Sequence, residues 1–461
     1  MSESEQRTPR PSRTQPGAQT YARGARMLSI GIASTGVLTL AYFAIAGHLL
    51  DRDGRVSAQY SHLDVLWSVM FVIISVIYRP IEQLLSRTIA DHRARGIAAL
   101  PMRIPMTIQG TFALVFLAVA LPLHDQLAGH VFDSETLYWI FVVGIVAYAA
   151  SYFARGWLAG HKYFALYGGL VFMESVSRIA FALAAAVGIT HGQSAIAIGI
   201  AAAPFVSLVV VPAAFASRAT RERSAPPASD AALEGPAAEG IEEAVSDLSI
   251  RRGGSFAVAV SAIQLSEQTL LNAAVLTIAA TTVSSSPLPG LVFNVMLITR
   301  APLQLFQAIQ TSLLPHLAGL EVTRGRAAFA RAIRLTVVAI AVFAVVVAIG
   351  LLAIGPFVLH DVFHNNYPYS RFGLALIAVG MGLHLSAGAL NQAALARGQA
   401  TRAAALWLAA AAIFVGWMLA GVISDQILRT EVGYAGAAGL LAVGLFALYR
   451  RGSPTASASA A

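Results

Sequence analysis

The chain has no cysteine and only one lysine, Lys162, and charged residues of every kind fill just 12% of its 461 positions. Without cysteine it has neither disulfides nor thiolate metal sites, and its redox compartment is left open. No GxxxxGK[ST] phosphate loop occurs, which excludes ATP hydrolysis by that machinery, and no HExxH or other metal-ligand pair has a usable spacing. No metal and no cofactor is implied. The scarcity of charge, set beside 57% hydrophobic residues and a mean hydropathy of +0.68, also excludes a soluble domain with a polar surface. An all-α integral membrane protein is expected.

Long apolar runs are what the chain does have. Crossing the hydrocarbon as helix takes about 20 residues, and runs of that order begin near Met27, Leu63, Ile104, Thr136, Phe164, Ser194, Ser255, Leu288, Arg334, Arg371, Ala404 and Val432. They predict twelve transmembrane helices. A β-barrel would show short alternating strands instead. A signal peptide is a poor reading of the first run, which starts too late and runs too long.

Basic loops stay on the cytoplasmic side during insertion. Arg93, Arg95 and Arg103, then Arg155 and Lys162, then Arg218 to Arg252, then Arg324, Arg326 and Arg331, then Arg397 and Arg402 fall in alternate turns. Both termini are therefore expected in the cytoplasm, with the plasma membrane of a bacterial cell as the location. The net charge of +8 is then a topology signal, and no nucleic-acid partner follows from it.

The expected organisation is a disordered basic tail (1–26), a six-helix bundle (27–216), a cytoplasmic linker rich in Ala, Pro, Ser and acids (217–254), a second six-helix bundle (255–450) and a short disordered tail (451–461). The linker reads as a flexible tether or as one short amphipathic helix over 241–250. Aligning Arg79 with Arg300 also aligns Gln83 with Gln304, and Arg155-Gly156 matches Arg397-Gly398. Two repeats in the same direction imply a pseudo-twofold axis along the membrane normal and a central cavity between the bundles.

A charged side chain at the centre of a spanning helix costs about 2.5 to 3.5 kcal/mol on insertion scales, so such groups usually face a cavity or one another. Arg79, Gln83 and Ser86 share a helix face, as do Arg300, Gln304, Gln307 and Thr311. Each stripe either lines a water-filled cavity or bonds within the packing. Glu174 and Arg178 stand four apart, the favourable order for an intrahelical ion pair. Glu267 lies near mid-depth in a segment with Gln264, Gln268 and Asn272, a candidate site for a proton or sodium ion or a partner for Arg300. His384 and Asn391 read as interior hydrogen-bonding residues, and Asp64 as an interfacial one.

The segments YRPIEQLLSRTIADHRARG, ARGWLAGHKYFALYGGLVFMESVSRIAF and NVMLITRAPLQLFQAIQTSLLPHLAGL resemble bacterial polysaccharide flippases of the multidrug/oligosaccharidyl-lipid/polysaccharide (MOP) exporter superfamily. The resemblance covers essentially the whole transmembrane region. It implies a V-shaped pair of six-helix bundles working by alternating access and no enzyme activity. It also implies a polyprenyl-phosphate- or pyrophosphate-linked saccharide as substrate, moved among membrane lipids from the cytoplasmic to the outer leaflet. Arg79, Arg300 and Arg178 would take the phosphate, Gln83, Gln304 and Gln307 the sugar hydroxyls, and Glu174 or Glu267 would release the arginines and carry a coupling H+ or Na+. Lipid II flippases of the superfamily usually add two further helices, for which no runs are found. An ion-coupled drug or metabolite exporter of the same superfamily, a lipid II flippase and a non-transporting membrane scaffold are the alternatives.

Overall fold

In lipid a backbone must satisfy its polar groups within the segment, and every described secondary element is helical. The computed structural model describes residues 16–50, 56–94, 103–161, 163–209, 212, 238–283, 285–363 and 367–451, with the side chains of 16–29, 238–257, 298–301, 304–326 and a few others outside the described set. The helices are α1 (Pro16–Leu50), α2 (Ala58–Ala94), α3 (Arg103–Ala120), α4 (His124–Val131), α5 (Glu135–Gly160), α6 (Phe164–Ala186) and α7 (Gly192–Ser207). They continue with α8 (Ala238–Thr281), α9 (Leu288–Phe357), α10 (Arg371–Ala396), α11 (Ala400–Ala420) and α12 (Gln426–Arg451).

Local chemistry fixes several ends. Ser134 caps α5 by accepting from the Leu137 N–H, and Ser370 caps α10 by accepting from the Gly373 N–H. The Asp425 carboxylate accepts from the N–H groups of Ile427 and Leu428 at 2.9 and 3.2 Å, opening α12. Each supplies an acceptor for donors that the first helical turn leaves unpaired.

Several boundaries differ from the sequence expectation. Helix α1 begins at Pro16, inside the segment expected to be disordered; proline suits a first helical turn, and the following Ala, Gln and Arg residues favour helix without needing lipid. The last part of the linker is neither a tether nor a free-standing short helix, because α8 runs unbroken from Ala238 into the seventh span. The runs expected as the eighth and ninth spans share one helix, Leu288–Phe357, where a turn was expected. That turn would have needed a breaker, and around Gly325 the sequence offers mainly Arg, Ala, Leu and Glu, strong helix formers. The third span is instead two pieces, α3 and α4, bent by 70°.

Seven helices among the described residues are long and apolar enough to cross a membrane, or up to eight with the bent pair counted as one span; Ser34–Leu50, Gly192–Ser207 and Leu288–Leu297 are apolar but shorter. In the first half α1 packs on α6, α2 on α5, α5 on α7 and α6 on α7. The same scheme returns six spans later, with α8 on α11, α9 on α10, α10 on α12 and α11 on α12. Between the halves α2 meets α8 and α1 meets α9.

Small residues let backbones approach where lipid gives helices no hydrophobic drive to associate. A Cβ on Gly31 of α1 would lie 2.6 Å from the Gly168 carbonyl oxygen of α6, and one on Gly156 of α5 would lie 2.8 Å from the Glu82 carbonyl oxygen of α2. At the same end of the molecule as the start of α2, the two halves are joined by Phe43 against Phe293, with ring centroids 4.6 Å apart, and by Tyr60 donating to Asn294 Oδ1 at 2.7 Å.

Candidate functional site

Pro80 stands inside α2 and removes one rung of its hydrogen-bond ladder, directly after Arg79. Arg79 is half-buried and projects across the seam between the halves, where its Nη1 donates to Gln264 Oε1 of α8 at 2.9 Å. Glu267, one turn along α8 from Gln264, lines the same small cavity as that amide. The first arginine of the expected site therefore meets an amide of the second half. Gln83 is exposed and Ser86 half-buried on the same helix. The side chains of Arg300, Gln304 and Gln307 lie outside the described residues, so the second stripe is placed only on the backbone of α9.

Behind Arg79, the first half holds a cluster of buried and half-buried polar residues that includes Arg155. Its Nη2 donates to Glu174 Oε2, and its guanidinium lies over the Tyr152 ring at 4.3 Å. Ser151 donates to the other Glu174 oxygen, and Tyr167 donates to Glu82 Oε1 at 2.6 Å. Arg155 was expected in a cytoplasmic turn; it lies within α5 and is buried.

The expected intrahelical pair of Glu174 with Arg178 is not formed. Arg178 donates to Tyr148 at 3.1 Å and to Ser175 at 2.9 Å, and it lies 5.3 Å from the Trp67 ring centroid. Glu174 and Arg178 share a helix face, but α5 presents Ser151 and Arg155 to one and Tyr148 to the other. Arg178 is satisfied by Tyr148 of α5 and by Ser175 one turn back on α6, and Glu174 by Ser151 and Arg155 of α5.

In the second half, Gln264, Glu267, His384, Asn391, Gln392 and Trp407 help to line a cavity of ≈ 30 Å³, roomy enough to admit water. Trp407 Nε1 donates to Asn391 Oδ1 at 3.2 Å, and His384 Nδ1 is paired with the Tyr434 hydroxyl at 3.2 Å. Arg79 thus sits between the polar cluster of one half and the polar cavity of the other.

Three carboxylates were misplaced or missed. Asp64, expected at the interface, is fully buried; a Cβ on Gly290 of α9 would lie 3.2 Å from its Oδ2. Glu431 of α12 is 1% exposed, its Oε1 has no hydrogen-bond partner among the described residues, and its carboxylate occupies the space a Cβ on Gly373 would take. Glu82 carried a readable signal, an acid inside an apolar run beside Gln83. Glu431 had none, since its burial depends on where α10 lies.

No protein-family model matches the sequence, and no curated protein is similar to it in sequence. Solved structures do match its fold. An outward-facing multidrug resistance MATE family transporter of the MOP superfamily superposes with a TM-score of 0.66 at 14% identity, covering 95% of this chain and 98% of that one. The Vibrio cholerae MATE transporter VcmN gives 0.61 at 14% identity with 95% and 98% covered, and the eukaryotic MATE transporter AtDTX14 gives 0.60 at 14% with 94% and 96% covered. The chain has the helical fold of MATE transporters over nearly its whole length.

Proposed function

We propose that the chain is a membrane exporter working by alternating access, its two six-span halves related by a pseudo-twofold axis along the membrane normal. Its substrate is a polyprenyl-phosphate- or pyrophosphate-linked saccharide, carried from the cytoplasmic to the outer leaflet of a bacterial plasma membrane. The observation that carries this reading is the Arg79 contact with Gln264 across the seam between the halves. A guanidinium held there by an amide is a charge that an incoming phosphate can take over, with bidentate bonds a lysine would make less well. Arg300 is the corresponding cation from α9. Glu267 is the group that holds Arg79 when substrate is absent, and it takes the coupling proton or sodium ion once Arg79 leaves.

In this scheme Arg178 and Glu174 shape the wall of the first half. Their bonds to Tyr148, Ser175, Ser151 and Arg155 already occupy them. The fold likeness to MATE transporters supports an exporter and supports no particular cargo. Reconstitution in vesicles with a panel of polyprenyl-linked saccharides, scoring which headgroup changes leaflet, tests the reading.

A second reading rests on the cavity beside Glu267. With His384, Asn391 and Gln392 around it, that carboxylate suits an ion-coupled exporter of drugs or metabolites, and some of the structural neighbours are multidrug resistance transporters. There Glu267 is indispensable and Arg79 is not.

A further inference from the structure

Where α9 passes α12 near Arg331, a groove of ≈ 460 Å³ opens on the outside of the second half, away from the seam. Its walls include Arg331 and Arg334 together with Val337, Val338, Leu390 and Phe446. Both arginines are exposed, and among the described residues neither has an ion-pair or hydrogen-bond partner. Among the described residues, none that lines the groove is acidic.

The two cations stand in the first turns of Ala327–Val362, the most apolar candidate span of the described chain. Beyond them the exposed face of that helix is Leu335, Val338, Val342 and Val346. One surface therefore presents positive charge at the helix end and hydrocarbon along its length, the pattern of an anionic headgroup followed by acyl chains. The far wall is rigid: Arg397 is held between Phe329 and Tyr449, 4.6 and 4.7 Å from their ring centroids, and donates to the Tyr449 carbonyl at 3.2 Å.

We infer that this groove is a binding site for an anionic membrane phospholipid of the cytoplasmic leaflet, its phosphate between Arg331 and Arg334 and its acyl chains along Val337, Val338 and Phe446. The site is separate from the seam, and the inference does not depend on which cargo the transporter moves. A free phosphate would use the arginines alone; the apolar wall favours the lipid.

Full-length protein in a neutral detergent is titrated with phosphatidylglycerol or phosphatidylcholine, and retained lipid is counted by native mass spectrometry. Two arginines near a membrane surface predict a preference of about thirtyfold for phosphatidylglycerol. Arg331→Gln combined with Arg334→Gln should remove the preference, whereas Arg402→Gln, an exposed cation of α11 outside the groove, should keep it. Val338→Trp leaves both charges and fills the apolar wall, so it should weaken retention of both lipids; it also decides the matter if the double variant does not fold. Equal retention of the two lipids by the unaltered protein, an undiminished preference in the double variant, or no effect of Val338→Trp would overturn the inference. Displacement of the lipid by excess inorganic phosphate would reduce the site to a plain anion site and overturn it equally.

Discussion

Glu174 pairs with Arg155 on the neighbouring helix and not with Arg178 one turn along its own. The pair is buried, so breaking it strands a charge in a low-dielectric interior. Arg155→Gln should lower stability by about 3 to 5 kcal/mol, whereas the double change Arg155→Met with Glu174→Met should cost far less because no charge is left alone. Thermal unfolding in detergent compares the two. Equal losses would place the pair outside the stabilising core. Arg178→Gln should behave differently, costing about 1 to 3 kcal/mol through loss of hydrogen bonds to Tyr148 and Ser175.

Helix approach through glycine gives a second prediction. Gly31→Ala sets a methyl against the Gly168 backbone, which cannot swing aside as a side chain could. Overpacking of this kind costs about 1 to 3 kcal/mol. Gly436→Ala, where nothing lies within 4 Å of the added methyl, should be neutral or stabilising by up to about 1 kcal/mol from helix propensity. The unfolding temperatures of the two variants should move in opposite directions, or only the first should fall.

The absence of cysteine makes orientation directly measurable. Arg402→Cys and Val422→Cys stand at exposed positions at opposite ends of α11. A membrane-impermeant maleimide applied to intact cells should label the second and spare the first, and permeabilisation should expose the first. The reverse pattern would turn the protein over in the membrane and move both termini outside.

Much of the fold was legible because lipid forces each backbone to satisfy itself, so apolar runs become helices almost one for one. The exceptions have local causes. The junction of the eighth and ninth spans contains no proline between Pro315 and the span that follows, and its basic residues are helix formers, so charge that looks like a loop is carried on a continuous helix. Arg79 stood out in the sequence because a fixed cation inside an apolar run is costly enough to need a partner, and it has one in Gln264. That partner was not legible, since Gln264 lies in the other half and no sequence spacing connects them. Asp64 shows the same limit: it lies near the start of a helix, which suggested an interfacial residue, and only the arrival of Gly290 of α9 buries it.

The cavity in the second half yields a prediction about packing. His384 is hydrogen-bonded to Tyr434 and sits edge-to-face with Trp407 at 5.5 Å. Tyr434→Phe keeps the ring and removes one buried hydrogen bond, at a cost of about 0.5 to 1.5 kcal/mol. If His384 serves only to fill and bond, transport by this variant should match the unaltered protein while its unfolding midpoint falls. Transport lost with stability intact would instead make the pair part of the moving machinery.

The central claim is that Arg79 meets a substrate anion at the seam. Vesicles reconstituted with the unaltered protein, Arg79→Gln or Glu267→Gln, and loaded with a fluorescent polyprenyl-phosphate-linked saccharide, report the movement of its headgroup between leaflets. The predicted result is rapid movement by the unaltered protein, loss of at least about tenfold in Arg79→Gln, as expected for one charge-assisted contact worth about 1.5 to 3 kcal/mol, and a smaller loss in Glu267→Gln. Undiminished movement in Arg79→Gln, or no movement of the saccharide by any form while a cationic drug is exported in a Glu267-dependent way, would contradict the account.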